Sequence, residues 1–182
     1  MIKQSKNNYP KLEFYNKNIL KENIFDDETF SHIVCLNRKI YLIEDKQLFF
    51  NNCYNLLYKN GYLIVNIVDP KMFNFYVNES KNVLYDPTKY NKKIDEDIVL
   101  FGNNKEYKSK YKIKENNLIL EETFKNFNTN SVRKNKITYY MTETNKIINF
   151  AKKAGFIVKE KFSLDDIGYK YEYLYIFEKS FE

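Results

Sequence analysis

The chain has 182 residues, of which 43% are hydrophobic and 30% charged, and its formal net charge is +6. This balance predicts one globular domain with a real core. It argues against a membrane protein, because no apolar run approaches the roughly 20 residues that span a bilayer. Two cysteines and one histidine supply neither a disulfide framework nor a typical zinc site, so we expect a cytoplasmic protein. Lysines spread along the sequence favour a solvated surface over a polyanion-binding patch.

The N-terminal segment is predicted to be the end of a helix followed by a short strand. Tyr9-Pro10 ends the helix, because proline disfavours helical geometry in the residue before it. Residues 12–15 are mostly apolar and predict the strand. The polar residues 16–18 predict a turn after it.

Residues 30–68 predict two strands joined by a helix. The apolar run 30–36 is typical of a central parallel strand that is covered on both faces. Asp45 is placed to cap the helix that follows, and Gly61 is placed to end it in the left-handed conformation. Residues 62–68 predict a second buried strand, and a helical connection of this kind joins parallel strands.

The remainder of the chain predicts an irregular segment, an antiparallel region and a final unit of helix and strands. Residues 70–95 show no clear period. Antiparallel strands with hairpin turns are predicted at 98–101, 106–113, 117–127 and 132–140. A last helix is predicted to end at Gly155. Two final strands, 156–164 and 171–178, are predicted to pair at the sheet edge.

Four pieces of the sequence recur together in a known family. They are FSHIVCLN, DKQLFFNNC, NGYLIVNIVDP and KKAGF. In order and spacing the chain resembles class I S-adenosylmethionine-dependent methyltransferases from the third strand of their domain onward, and especially methyltransferase-like proteins of large DNA viruses and protists. The resemblance implies an α/β, Rossmann-like sheet. It also implies that residues 70–140 are an antiparallel β insertion, after the fifth family strand, that covers the substrate.

The glycine-rich loop that binds the methyl donor in this family has no counterpart in the sequence. Glycine occurs only at positions 61, 102, 155 and 168. We therefore expect residues 1–182 to be a partial, N-terminally truncated methyltransferase-like domain. The sheet edge next to the missing strands is expected to pair with a second copy or with a partner chain.

The resemblance assigns part of an S-adenosylmethionine site to five residues. Asn18 matches the position that faces the adenine amino group, and Ile19 matches an apolar wall for the ring. Cys35, Leu36 and Asn37 match the end of the fourth family strand, which faces the methionine portion. The alternatives are a simple turn role for Asn18 and a packing role for Cys35, with Leu36 or Asn37 contacting the ligand through the backbone.

The resemblance also places three residues near the substrate. Tyr41 matches an aromatic wall, Asp69 ends the fifth family strand, and Arg133 is placed to bind an anionic group from the cover. The alternatives are a core aromatic, a strand-ending turn and a surface salt bridge, respectively. Glu121 and Glu122 are candidates for holding an amine, or else exposed glutamates of a strand.

The implied activity is methyl transfer from S-adenosylmethionine to an N or O nucleophile. A small-molecule acceptor is favoured over nucleic acid, and no metal is expected. Because the glycine-rich loop is missing, the activity is expected to be incomplete in this chain. The alternative is a non-catalytic, methyltransferase-like subunit for binding or scaffolding.

Overall fold

The computed structural model describes residues 2–70, 72, 96–102, 104–114 and 117–180, which form two four-stranded sheets and the helices around them. In chain order the elements are helix α1 (Ile2–Asn8), strand β1 (Phe30–Cys35), a 3₁₀ helix (Lys39–Leu42), helix α2 (Lys46–Leu56), strands β2 (Leu57–Val68), β3 (Glu96–Phe101), β4 (Lys105–Lys114), β5 (Asn117–Asn126) and β6 (Ser131–Tyr140), helix α3 (Thr144–Lys153), strand β7 (Phe156–Ser163), a second 3₁₀ helix (Asp165–Ile167) and strand β8 (Glu172–Lys179). Nearly all of the predicted irregular segment 70–95 lies outside the described residues. No described helix is both long enough and apolar enough to cross a membrane.

The first sheet has the strand order β1-β2-β8-β7. Strands β1 and β2 are parallel, as predicted, whereas β8 is antiparallel to both of its neighbours, β2 and β7. The predicted pairing of the last two strands is therefore confirmed. Of these last two strands, β7 lies at an edge of the sheet and β8 does not, because β8 lies between β2 and β7. This mixed sheet with helices confirms the predicted α/β fold class.

The core lies between the first sheet and helices α2 and α3. Its centre is Phe50, which is fully buried and meets the rings of Phe49, Phe156 and Phe177 edge-on at centroid distances of 5.3–6.3 Å. Burying each such ring contributes about 1.5–3 kcal/mol. Ile147 and Ala151 contribute the buried face of α3. The predicted last helix is thus confirmed.

Helix α2 begins as predicted and ends earlier than predicted. The carboxylate of Asp45 accepts a hydrogen bond of 2.9 Å from the backbone N–H of Leu48, which confirms the cap. The helix stops at Leu56, and Leu57 already has extended geometry. Leu57 pairs with Phe30 of β1, so strand pairing ends the helix before any local stop signal is reached.

Gly61 is required for close approach and not as a helix stop. A Cβ at this position would lie 2.8 Å from the carbonyl oxygen of Tyr58 and 3.0 Å from that of Ser31. The left-handed conformation belongs instead to Asn60, with φ of 60°. The predicted role of Gly61 as a helix stop is therefore wrong. Glycine is needed here because the backbone carbonyls of Tyr58 and Ser31 approach this position closely.

Strand β1 is an edge strand, contrary to the prediction of a strand covered on both faces. Among the described strands it pairs with β2 alone. Ser31, His32 and Val34 are exposed, with 54% of Val34 accessible. The predicted strand at residues 12–15 is also absent, since this segment is irregular and joins neither sheet.

The second sheet is an antiparallel meander with the order β3-β4-β5-β6. Its strands match the four predicted segments to within two residues. One of the predicted hairpin turns joins β5 to β6 through residues 127–130, where Asn130 has φ of 50°. Residues 115–116 of the other predicted hairpin lie outside the described part.

Gly155 follows the end of α3 and has φ of 103°, a left-handed conformation. A Cβ at this position would lie 2.8 Å from the ring of Tyr54.

Candidate functional site

The turn after β1 holds two consecutive residues in the left-handed conformation. Asn37 has φ of 53° and Arg38 has φ of 58°, and this geometry costs about 1–2 kcal/mol for a residue with a side chain. The backbone N–H of Arg38 donates a 3.0 Å hydrogen bond to Oδ1 of Asn66. The turn lies at the carboxyl end of parallel strands, where open α/β sheets bind ligands.

Three polar side chains, Arg38, Asn66 and Glu172, form what we call the carboxyl-edge cluster. Nδ2 of Asn66 donates to Oε2 of Glu172 at 3.2 Å, and the guanidinium of Arg38 lies 3.5 Å from Oε1 of the same carboxylate. Asn66 and Glu172 are only 3% and 5% exposed. Buried polar groups are tolerated when they are paired in this way. The cluster therefore fixes the strained turn after β1.

The cluster was not predicted from the sequence. The available signal was Asn66, a polar residue inside the apolar run LIVNIV, because a buried polar side chain requires partners. Arg38 and Glu172 are separated by more than one hundred residues, so no local pattern indicates that they meet.

Tyr41 is fully buried and bonds to the backbone of Val68. Its hydroxyl donates to the Val68 carbonyl and accepts from the Val68 N–H, each at 3.1 Å. Burial raises the pKa of this hydroxyl, and the charges of Asp69 and Glu172 raise it further. The position matches the alternative of a core aromatic. Its predicted contact with substrate stays a prediction.

Asp69 follows β2 at the same edge of the sheet. Its backbone N–H donates to the carbonyl of Tyr171 at 2.9 Å. The charge of its carboxylate raises the pKa values of Tyr41 and Tyr175, which places Asp69 beside the carboxyl-edge cluster. Asp69 thus follows the end of β2 as predicted, and its contact with substrate stays a prediction.

Asn18 and Ile19 form a turn against the core. Oδ1 of Asn18 accepts a 3.0 Å hydrogen bond from the N–H of Leu20, and the carbonyl of Ile19 accepts one of 2.8 Å from Asn52 on α2. The side chain of Ile19 packs on the core. An open surface depression adjoins this turn and is lined by Asn16, Lys17, Asn18, Lys21, Asn23 and Ile24.

Cys35 and Leu36 differ in exposure at the end of β1. Cys35 is 9% exposed, and burial raises the pKa of its thiol to about 11. Leu36 is 45% exposed, and its carbonyl accepts a hydrogen bond from the N–H of Lys39. The geometry suits packing for Cys35 and an accessible position for Leu36 and Asn37.

One face of the second sheet, which we call the inner face, carries Tyr107, Glu122, Asn135 and Tyr139 among its alternating side chains. The carboxylate of Glu122 accepts from the Tyr107 hydroxyl at 2.8 Å and from Asn135 at 3.3 Å. Burial raises the pKa of Tyr139, and the charge of Arg38 opposes that rise. The Tyr139 end of the inner face therefore lies near Arg38 of the carboxyl-edge cluster.

Arg133 lies far from this cluster. Its guanidinium stacks on the ring of Phe124 at 4.4 Å, and the side chain is exposed. It is six residues from Tyr139 on β6, which corresponds to about 20 Å along a strand. The structure does not bring Arg133 together with the other predicted residues. Glu121 points to the opposite face of the sheet and pairs with Lys112 at 2.7 Å.

Within the described ranges, no group of three His, Cys, Asp or Glu side chains is placed to hold a metal ion.

No protein-family model matches the sequence, and no curated protein sequence matches it significantly. Solved structures do match. An S-adenosylmethionine-dependent methyltransferase from Clostridium acetobutylicum has a TM-score of 0.71 over 98% of this chain and 71% of that chain, at 12% identity.

Two further similar structures have narrower descriptions. A sugar N-methyltransferase from Streptoalloteichus sp. has a TM-score of 0.67 over 94% of this chain and 65% of that chain, at 14% identity. An amino pentose methyltransferase from Micromonospora echinaspora has a TM-score of 0.62 over 97% of this chain and 68% of that chain, at 12% identity. The chain thus spans 65–71% of the length of these three enzymes. It has the α/β, Rossmann-like fold of the class I S-adenosylmethionine-dependent methyltransferases.

Proposed function

We propose that the chain carries the acceptor side and part of the donor side of an S-adenosylmethionine-dependent methyltransferase site. The observation that carries this proposal is the left-handed turn Asn37-Arg38, fixed by Asn66 and Glu172 at the carboxyl end of β1. A strained turn held by a buried polar network is a feature of ligand sites. The shared fold with three methyltransferases supports the same assignment.

The described residues fit one side of the methyl donor. Leu36 is accessible beside the turn at Asn37, and the Asn18-Ile19 turn offers an amide and an apolar side chain. When bound, S-adenosylmethionine supplies an electrophilic methyl group on a sulfonium. The protein is then required mainly to align the acceptor and to exclude water.

The inner face of the second sheet favours a nitrogen nucleophile on a polar small molecule. Glu122 offers a carboxylate that already accepts hydrogen bonds from Tyr107 and Asn135. Such a group orients an amine through charge-assisted hydrogen bonds. Among the similar structures, one is described as a sugar N-methyltransferase and another as an amino pentose methyltransferase. We therefore assign an amine-bearing small molecule as the acceptor class.

The test is transfer of a radiolabelled methyl group from S-adenosylmethionine to a panel of amino sugars and simple amines. Glu122→Gln removes the charge on the inner face and is expected to raise the KM for the amine at least tenfold. Glu121→Gln is the matched control, because Glu121 is the neighbouring residue on the opposite face. Equal effects of the two substitutions would contradict the assignment of the inner face.

The second candidate is a non-catalytic binding subunit. It is favoured by the sequence, in which no two glycines lie close enough to form a glycine-rich donor loop. A non-catalytic subunit would show no methyl transfer to any acceptor in the panel, even where calorimetry detects binding of S-adenosylmethionine. Turnover with any amine would exclude it.

A further inference from the structure

The face of the second sheet opposite to the inner face, which we call the outer face, is rich in lysine. In a strand, alternate residues share a face, and the pairing of β4, β5 and β6 sets which residues meet across the sheet. The positions on the outer face include Lys108, Lys110, Lys112, Lys114, Lys125, Lys134 and Lys136. By the same register, glutamates occupy three positions on this face, namely Glu96, Glu106 and Glu121.

The outer face holds most of the net charge of the protein. Seven lysines against three glutamates leave an excess of four positive charges, compared with +6 for the whole chain. Along the sequence these lysines are spread over three separate segments. Antiparallel pairing gathers them, because lysines from three separate segments alternate in phase and therefore point to the same side.

The lysines form rows along the strands. Lys108, Lys110, Lys112 and Lys114 follow one another on β4 at every second residue, which gives a line about 20 Å long. Lys134 and Lys136 form a second row on β6, two strands away and therefore about 10 Å from the first. Two parallel rows of charge are suited to an extended, linear polyanion.

Salt bridges on this face neutralise only part of its charge. Lys112 pairs with Glu121, and Lys125 pairs with Glu106, each at 2.7 Å. Lys110, Lys134 and Lys136 are exposed. Surface pairs of this kind contribute little to stability, typically less than about 1 kcal/mol, so stability alone does not explain a sheet face with this composition.

We propose that the outer face binds the phosphate backbone of a nucleic acid. Lysine contacts phosphate as a point charge. The aromatic residue that alternation puts on this face, Tyr140, lies beyond the lysines at the end of β6, so the lysine rows are not interleaved with rings on which successive bases could stack. The binding is therefore independent of base sequence. It lies on the opposite side of the sheet from Glu122, so the nucleic acid is a partner that localises the protein and is not the methyl acceptor.

A nucleic acid fits this face better than an anionic membrane does. Membrane anchoring combines basic residues with apolar side chains that insert between them. The exposed apolar residues of this face, Ile98, Leu100 and Val132, are 54–65% accessible. They lie on the edge strands β3 and β6, whereas the longer lysine row lies on the interior strand β4.

The experiment measures the fluorescence anisotropy of labelled single-stranded and duplex oligonucleotides of mixed sequence, titrated with the intact chain. About four phosphate contacts predict that affinity falls roughly 100-fold between 50 and 200 mM salt. Replacing four outer-face lysines with glutamine is expected to abolish most binding and to lower the salt slope by about 3 to 4. The substitutions are Lys110→Gln, Lys114→Gln, Lys134→Gln and Lys136→Gln.

The control variant loses the same charge elsewhere on the surface. It carries Lys3→Gln, Lys6→Gln, Lys11→Gln and Lys152→Gln, all at exposed positions. Circular dichroism and the melting temperature verify that both variants fold. Equal loss of binding in the two variants, no binding by the parent chain, or binding only to phosphatidylserine vesicles would overturn the proposal. None of these outcomes depends on methyl transfer, so this test is independent of the proposed function.

Discussion

The buried Lys46 predicts an unusual dependence of stability on pH. This side chain is 2% exposed and lies at the first position of α2. Its Nζ donates to the carbonyl oxygens of Ile43 at 2.7 Å and Tyr140 at 3.1 Å. Burial lowers the pKa of Lys46 from 10.5 to about 8, against a smaller opposing effect of the Glu44 carboxylate.

The sign follows from which state binds the proton. Between pH 8 and pH 10.5 the unfolded chain retains a proton that the folded chain has lost, so the free energy of unfolding rises with pH in this window. The free-energy cost of burying the protonated Lys46 side chain is fully present below pH 8 and disappears by pH 10.5. The difference between the two pKa values of Lys46 corresponds to about 3 kcal/mol, or about 6–12 °C in melting temperature for a chain of this size.

The assay compares urea unfolding of the parent chain and of Lys46→Met across this pH window. Methionine keeps an unbranched side chain of similar length but does not titrate. Relative to the variant, the parent is expected to gain about 2–3 kcal/mol between pH 7.5 and 10.5. Lys152→Met, at an exposed position of α3, is the control and should parallel the parent. Parallel curves for the parent chain and Lys46→Met would refute the reasoning.

Four further predictions follow from the described contacts. Gly61→Ala is expected to lower the free energy of unfolding by about 1–3 kcal/mol, because its Cβ meets two backbone carbonyls; unchanged urea midpoints would contradict this. Tyr41→Phe leaves the backbone N–H of Val68 without its buried partner and removes one of two side-chain donors to the Val68 carbonyl, which keeps its hydrogen bond from Thr144; a loss of about 1–3 kcal/mol is expected in the same assay. Because burial raises the pKa values of Cys35 and Cys53, both thiols should react with Ellman's reagent only on unfolding. Rapid labelling of the native chain would contradict this prediction. Because β1 pairs with β2 alone among the described strands, its other edge predicts self-association, which a monodisperse monomer in light scattering would disprove.

The sequence predicted the elements whose signals are local. The second sheet is an example, because its turn residues and alternating side chains mark each strand within a few positions. Gly155 is another, since a glycine after an amphipathic helix marks its end. In both cases the structure depends on residues that are neighbours along the chain.

The errors concern features that depend on distant contacts. The apolar run of β1 predicts burial, but exposure is decided by which strands lie beside it. Helix α2 was predicted to reach Gly61, whereas pairing of Leu57 with Phe30 ends it earlier. Likewise, no local pattern links Arg38 to Glu172. Register across β4, β5 and β6 also determines that separate lysines share one face, which composition alone does not reveal.

The most direct measurement of the central claim is calorimetric titration of the chain with S-adenosylmethionine and with S-adenosylhomocysteine. If the turn at Asn37-Arg38 forms part of a donor site, both compounds should bind saturably, with a Kd in the micromolar range. Asn66→Leu, which removes the side chain that holds the turn, should weaken binding at least tenfold while circular dichroism shows a folded chain. A folded parent chain that binds neither compound would contradict the account.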